Sequence, residues 1–158
     1  MFSVTVTRPR EHVYERGGAY AWRFRDAALQ RAATYGIRVR SYFGETQQPA
    51  VNQQLNQILD AREEPAMIVH NDAVIAALPS VLYSRGIRVP DDLSVVGAFS
   101  EDFGKLFSLP YTAVETSPNR LGRLAVRALV HRMVNPRDAG TPRVRLVAPH
   151  ITDRGSTR

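Results

Sequence analysis

The chain reads as an α/β fold, a doubly wound and mostly parallel sheet. Three observations predict it. Short apolar or alternating runs recur along the 158 residues, longer segments with helical apolar spacing separate them, and Gly or Pro marks most junctions. Strands alternating with helices form βαβ units, whose parallel strands are covered on both faces. The length suits one domain with a sizeable core, and 44% hydrophobic and 23% charged residues are ordinary for a globular chain.

Residues 2–7 (FSVTVT) alternate at period two, as a half-buried strand does, and Arg8-Pro9 ends them. After Gly17-Gly18 a helix is expected over 19–35, with Trp22, Ala28, Leu29, Ala32 and Ala33 on one side and Gly36 as its stop. Residues 37–43 (IRVRSYF) alternate again. Pro49 suits the first turn of a helix carrying Val51, Leu55, Ile58 and Leu59, broken by Glu63-Glu64-Pro65. Residues 66–69 (AMIV) form a continuously apolar strand of the fully buried kind.

A helix over about 72–85 contains Pro79, which removes one backbone hydrogen bond and favours a kink. Strands are expected at 93–96, 111–115 and 144–147, and a long helix at 118–134. Pro90-Asp91-Asp92 is a turn.

The chain has no cysteine, which excludes disulfides and thiolate metal sites. MFSVTVTRPR lacks the charged and apolar regions of a secretory signal, and no apolar run approaches the roughly 18 residues of a membrane span. The expectation is a cytoplasmic protein with no membrane contact. The net charge of +6 and pI near 10.3 come almost wholly from arginine, since Lys105 is the one lysine. These arginines form no dense block, so the charge reads as compositional, with a weak contribution to DNA affinity.

His12, His70, His131 and His150 show no HExxH or other close ligand spacing, and no metal or cofactor is expected. GxSxG, P-loop and GxGxxG motifs are absent, and Gly17-Gly18 alone reads as a flexible loop. Glu63-Glu64 and Glu101-Asp102 read as solvated loop charges. No catalytic constellation emerges, and the chain is expected not to be an enzyme.

Ligands of open parallel sheets bind beyond the C-terminal ends of the strands. His70-Asn71-Asp72 stands at such an end and opens a helix, where its side chains cap backbone N–H groups, meet a polar ligand, or do both. Leu121, Leu124, Ala125, Ala128, Leu129 and Met133, widened by Val126 and Val130, give the 118–134 helix a broad apolar stripe. Such a stripe packs into a core or covers a second partner.

PAMIVHNDAVIAALPSVLYSRGIRVPDDLSVVGAFS, followed by LPYTAVETSPNRLGRLAVRAL, resembles the C-terminal half of the LacI/GalR family of transcription repressors. The resemblance is carried by Asn71-Asp72 opening a helix, the run from Gly86 to Gly97, residues 109–114, and Leu121-Gly122-Arg123-Leu124-Ala125. Phe24-Arg25-Asp26-Ala27-Ala28-Leu29 resembles the family's Gly-Phe-x-x-Ala-Leu helix, and Arg154-Gly155-Ser156-Thr157 its Arg-x-Ser-Thr ending.

The resemblance implies a type I periplasmic-binding-protein-like effector domain, of which residues 1–158 supply the C-terminal subdomain and a crossover helix at about 118–134. It also implies a small-molecule effector, a sugar or a nucleobase, between two subdomains. A homodimer is expected, using Leu121, Leu124, Ala125, Ala128 and Leu129. DNA contact would come only through an N-terminal helix-turn-helix module, which this sequence does not show.

Carried over position by position, Asn71 and Asp72 match the effector-contacting turn. Phe99 and Ser100 fall where the family has a Gly-aromatic-Asp-Asp/Asn motif, and Tyr20 and Arg23 fall at the effector-contacting arginine and the glycine of the first helix. Phe99 cannot accept the hydrogen bonds a carboxylate gives a polyol, a loss of about 1 to 3 kcal/mol in a buried site. Phe99 and Tyr20 can instead stack on a ligand face. The leading expectation is an effector-binding and dimerisation module of a regulator. A free-standing sugar-binding receptor of the same fold is the alternative, and a flavodoxin-like enzyme the third reading.

Overall fold

The computed structural model describes residues 2–6, 19–43, 48–61, 65–135 and 144–158. Six strands form one sheet in the order β2-β1-β3-β4-β5-β6. They are β1 (Phe2–Val6), β2 (Val39–Phe43), β3 (Ala66–Val69), β4 (Ser94–Ser100), β5 (Thr112–Thr116) and β6 (His150–Thr152). The first five are mutually parallel, and β6 alone is antiparallel. The expected doubly wound, mostly parallel sheet is therefore the one observed.

Helices α1 (Ala19–Thr34), α2 (Gln48–Asp60) and α3 (Asp72–Ser84) are the crossovers between successive parallel strands. Val51, Leu55, Ile58 and Leu59 of α2 and Val74, Ile75, Leu78, Val81 and Leu82 of α3 bury against Met67, Val69, Val95, Phe99 and Ala113 of the sheet. Each such aliphatic side chain contributes roughly 1.5 to 3 kcal/mol on leaving water. Ala21 buries with Phe24 and Ala28 against Val39 and Ile68, so α1 covers the opposite face. On β3 the alternation of Met67 and Val69 with Ile68 is what serves both layers. Among the helix positions expected to face the sheet, Ala28 does so, while Ala33 is exposed and Ala21 takes the buried place.

Pro79 lies within α3, which continues through it to Ser84. Its neighbours Leu78 and Val81 are buried on either side, and that packing holds the helix across the missing hydrogen bond. Gly36 and Gly86 end α1 and α3 in the left-handed conformation, with φ of 64° at each.

Three sequence expectations are corrected. β4 runs on through Gly97 to Ser100 instead of stopping at Val96. Glu101 and Asp102 belong not to a loop but to a short helix, α4 (Glu101–Leu106), capped by Ser100, whose Oγ accepts from the Phe103 N–H. Acidic residues in the first turn and Lys105 in the last complement that helix's dipole. Residues 144–149 pair with no strand among the described residues, and Val144 and Leu146 stay exposed.

The long helix α5 (Pro118–Val134) spans the expected residues but contains no buried residue. Its apolar stripe does not pack on this sheet, and Leu129 is 60% and Met133 70% exposed among the described residues. The tail after β6 returns to the sheet. Ser156 is buried, donates to the Val95 carbonyl at 2.6 Å and accepts from the Thr112 N–H at 2.7 Å, bridging β4 and β5.

Candidate functional site

Parallel strands β3, β4 and β5 end together, and a cavity of about 730 Å³ opens beyond their C-terminal edge. His70, Asn71, Asp72 and Ala73 line it from the β3–α3 turn, Ala98, Phe99, Ser100 and Phe103 from the end of β4 and α4, and Val114 and Thr116 from β5. Phe24 of α1 and Pro149 complete the described lining. No helix among the described residues is long and apolar enough to cross a membrane.

Asn71 is only 6% exposed and serves as the N-cap of α3. Its Oδ1 accepts from the Ala73 N–H at 2.8 Å and the Val74 N–H at 3.3 Å. Those bonds use the acceptor and leave the amide NH₂ as the group Asn71 can direct at a ligand. Ser100 is in a similar position, since its Oγ accepts from Phe103 and its hydroxyl proton can still be donated. The cavity therefore offers donors at two of its corners, and Asp72 is its carboxylate acceptor.

The walls are aromatic. The Phe24 and His70 rings lie 4.6 Å apart at 38°, and Phe103 stacks on Phe107 at 4.6 Å. Burial pushes the His70 imidazole pKa down, only partly opposed by the charge of Asp72. Burial pushes the Asp72 carboxyl up, partly opposed by His70. Both shifts favour the uncharged forms.

Phe99 touches the cavity but belongs to its floor. The ring is 4% exposed and lies so close to Gly97 and Gly104 that a Cβ at those positions would stand 2.1 Å and 2.7 Å from it. The Arg154 guanidinium covers it at 5.8 Å from the ring centre. The structure thus brings Asn71, Asp72, Phe99 and Ser100 together around one space. Arg23 is exposed on α1 and is not in the described lining, while the side chain of Tyr20 lies outside the described residues.

The strand-end turn His70-Asn71-Asp72 singled out in the sequence lines the cavity, whereas sequence reasoning missed Phe24 and Thr116 in its wall and Glu115 behind the floor. Glu115 is 1% exposed, yet its Oε1 accepts from Arg154 at 2.5 Å and its Oε2 from Thr152 at 2.8 Å, and His150 Nε2 lies 3.0 Å from Oε2. Burial alone would raise its pKa, but the Arg154 and Thr152 hydrogen bonds and the Arg154 and His150 charges outweigh that and hold the carboxyl below its ordinary value. Glu115, Glu101 and His150 present possible ligand atoms within 4.8 Å of one another. Arg154 already compensates Glu115, and Lys105 pairs with Glu101 at 2.6 Å, which leaves little negative charge for a cation.

A mostly parallel α/β sheet with a cavity at its strand ends and a helix that leaves the sheet is the architecture that the comparisons match. Residues 7–157 match the periplasmic binding protein-like domain, and the chain belongs to that family. It is 37% identical over 79 residues to the HTH-type transcriptional repressor PurR of Photobacterium profundum, covering 49% of this chain and 24% of that repressor.

Its fold is similar to that of a LacI family transcriptional regulator from Bifidobacterium animalis subsp. lactis, with a TM-score of 0.73 and 25% identity over 99% of this chain and 55% of that one. It is also similar to a LacI family regulator from Arthrobacter sp. solved in complex with lactose, with a TM-score of 0.75 and 22% identity over 99% of this chain and 56% of that one. The chain spans about a quarter of the length of the first curated repressor and about half of these solved regulators. The resemblance to a LacI/GalR effector domain holds in both comparisons.

Proposed function

We propose that this chain is the effector-binding and dimerisation lobe of a LacI/GalR-type transcriptional regulator, non-enzymatic and cytoplasmic. Contact with operator DNA would be made by a helix-turn-helix module and not by this lobe. The cavity carries the proposal, because it gathers Asn71, Asp72 and Ser100 at the ends of three parallel strands. Repressor relatives favour this reading over a free-standing receptor.

The effector is a small molecule with a hydrogen-bond-accepting edge and a face that suits Phe24, His70 and Phe103. A nucleobase meets both demands with one flat ring system. A sugar meets the first with its oxygens and the second with its apolar ring face, and the lactose complex of the Arthrobacter regulator supports it.

Titration calorimetry with adenine, guanine, ribose and glucose, on the chain and on Asn71→Asp, tests the reading. Aspartate keeps the cap but removes the NH₂ donor, so binding by the chain and its loss in the variant is expected. Binding that is unchanged in the variant, or no binding by any of the four, would sink it.

The exposed α5 supports a second contact. Leu121, Leu124, Ala125, Ala128 and Leu129 line a groove with Arg145 and Val147. We assign this groove to a partner surface, a second copy of the chain in the homodimer.

A further inference from the structure

A second cavity, of about 530 Å³, lies at the other edge of the sheet, where β3 and β4 begin. Its described lining comes from the last turn of α2, the start of β3 and the connection from α3 to β4. None of these residues belongs to the strand-end cavity or to α5. The volume falls within the range of about 300 to 1,000 Å³ usual for small-molecule sites.

Ile58, Leu59, Met67 and Leu93 give the cavity a floor of buried core side chains, and Ile87 packs against the same core. The charged residues of the described lining are Arg85 and Asp92. Arg85 ends α3, where its N–H donates to the Leu82 carbonyl at 3.2 Å, and its guanidinium reaches across to α2. There it donates to Asn56 Oδ1 at 3.0 Å and to Asp60 Oδ1. Asp92 is held from the other side. Its Oδ2 accepts from the Arg88 N–H at 2.9 Å, and its own N–H donates to the Arg88 carbonyl at 2.8 Å.

These bonds orient both charged groups without exhausting them. A guanidinium has more N–H donors than the two that Arg85 commits to Asn56 and Asp60, and the Asp92 carboxylate has lone pairs beyond those that Arg88 uses. An apolar floor beside a fixed cation and a fixed anion complements a small zwitterion with an apolar body. We propose that this cavity is a second ligand site, for a free α-amino acid with an apolar side chain of the size of leucine. Its carboxylate meets Arg85, its ammonium meets Asp92, and its side chain lies on Met67 and Leu93. The frame is in place before the ligand arrives, which lowers the entropic cost of binding.

Backbone amide NMR of the isotope-labelled chain tests this with L-leucine, with isocaproate, which is leucine without its ammonium, and with isoamylamine, which is leucine without its carboxylate. Leucine is expected to shift the Met67, Gly86 and Ile87 amides saturably, and each analogue to bind about tenfold more weakly. Asp92→Asn keeps an oxygen that accepts from Arg88, so it should weaken leucine about tenfold and leave isocaproate unchanged. Four results overturn the proposal: no shift with leucine, shifts centred on Asn71 and Ser100 instead, an analogue that binds as tightly as leucine, or undiminished leucine binding by Asp92→Asn. The comparison of leucine with its analogues uses the unsubstituted chain, and it decides the matter alone if Asp92→Asn does not fold.

Discussion

Phe99 and Glu115 are register partners on adjacent parallel strands, and Arg154 serves both, covering the ring of one at 5.8 Å and bonding the carboxylate of the other at 2.5 Å. An aromatic floor and a buried charge thus share one cation. Arg154→Ala would strand Glu115 without its main partner and uncover Phe99. Breaking a buried pair costs about 3 to 5 kcal/mol, and the partial exposure of Arg154 reduces this to about 2 to 3 kcal/mol. Urea denaturation should show the loss, and Arg154→Lys should recover only part of it, because the lysine cannot reach the carboxylate and the Tyr111 carbonyl together.

The ring of Phe99 is held between two glycines, and the clash at Gly97 is the tighter. Gly97→Ala should destabilise the chain by about 1 to 3 kcal/mol through overpacking. Adding Phe99→Leu makes room, so the double variant should be more stable than the sum of the two single losses predicts. Simple additivity in thermal unfolding would show that the ring is not pinned there.

Acid should weaken the fold in two steps. His70 has a lowered pKa, so the unfolded chain binds its proton more readily, and the stability gained from neutral His70 is present above about 6.5 and lost as pH falls from there. Glu115 also has a lowered pKa, so its contribution is present above the ordinary carboxylate value and lost below about 4.5 as pH falls through the folded-state pKa. Asp72, shifted up, acts in the opposite sense and blunts the second step. Denaturant titrations from pH 8 to pH 3 should show both steps, and His70→Gln should remove the first alone.

Much of this architecture was legible in the sequence because its signals are local. The continuous apolar run at 66–69, the Asn71 cap, Gly36 and Gly86, and the VPDDLSVVG run each state their own structure. The misses were relationships between distant residues. A glutamate in YTAVE carries no mark of burial, since its partners Arg154, Thr152 and His150 lie 35 or more positions away. VRLV at 144–147 has the pattern of a strand, but a strand also needs a neighbour. Tyr20 and Arg23 came from resemblance alone, and Arg23 stands outside the described cavity wall.

Asn71 allows capping and recognition to be separated. Asn71→Ala removes the bonds to Ala73 and Val74 and should cost about 1 kcal/mol of stability as well as ligand binding. Asn71→Asp should hold stability within about 0.5 kcal/mol while losing the donor. Differential scanning fluorimetry with and without ligand would compare the two, and equal thermal losses in both would show that the NH₂ group carries structure as well.

The exposed α5 sets a sharper expectation. A helix that buries nothing against its own sheet contributes little to the stability of that sheet, so Leu129→Glu should change the unfolding free energy by no more than about 0.5 kcal/mol. The same charge placed among Leu121, Ala125 and Ala128 would have to be buried unpaired in any interface formed there, at a cost of several kcal/mol. Sedimentation equilibrium should therefore show self-association of the chain and its loss in Leu129→Glu, with the far-ultraviolet spectrum unchanged. Loss of fold together with association would mean that α5 is needed within the lobe itself, and retained association would move the dimer contact to another face.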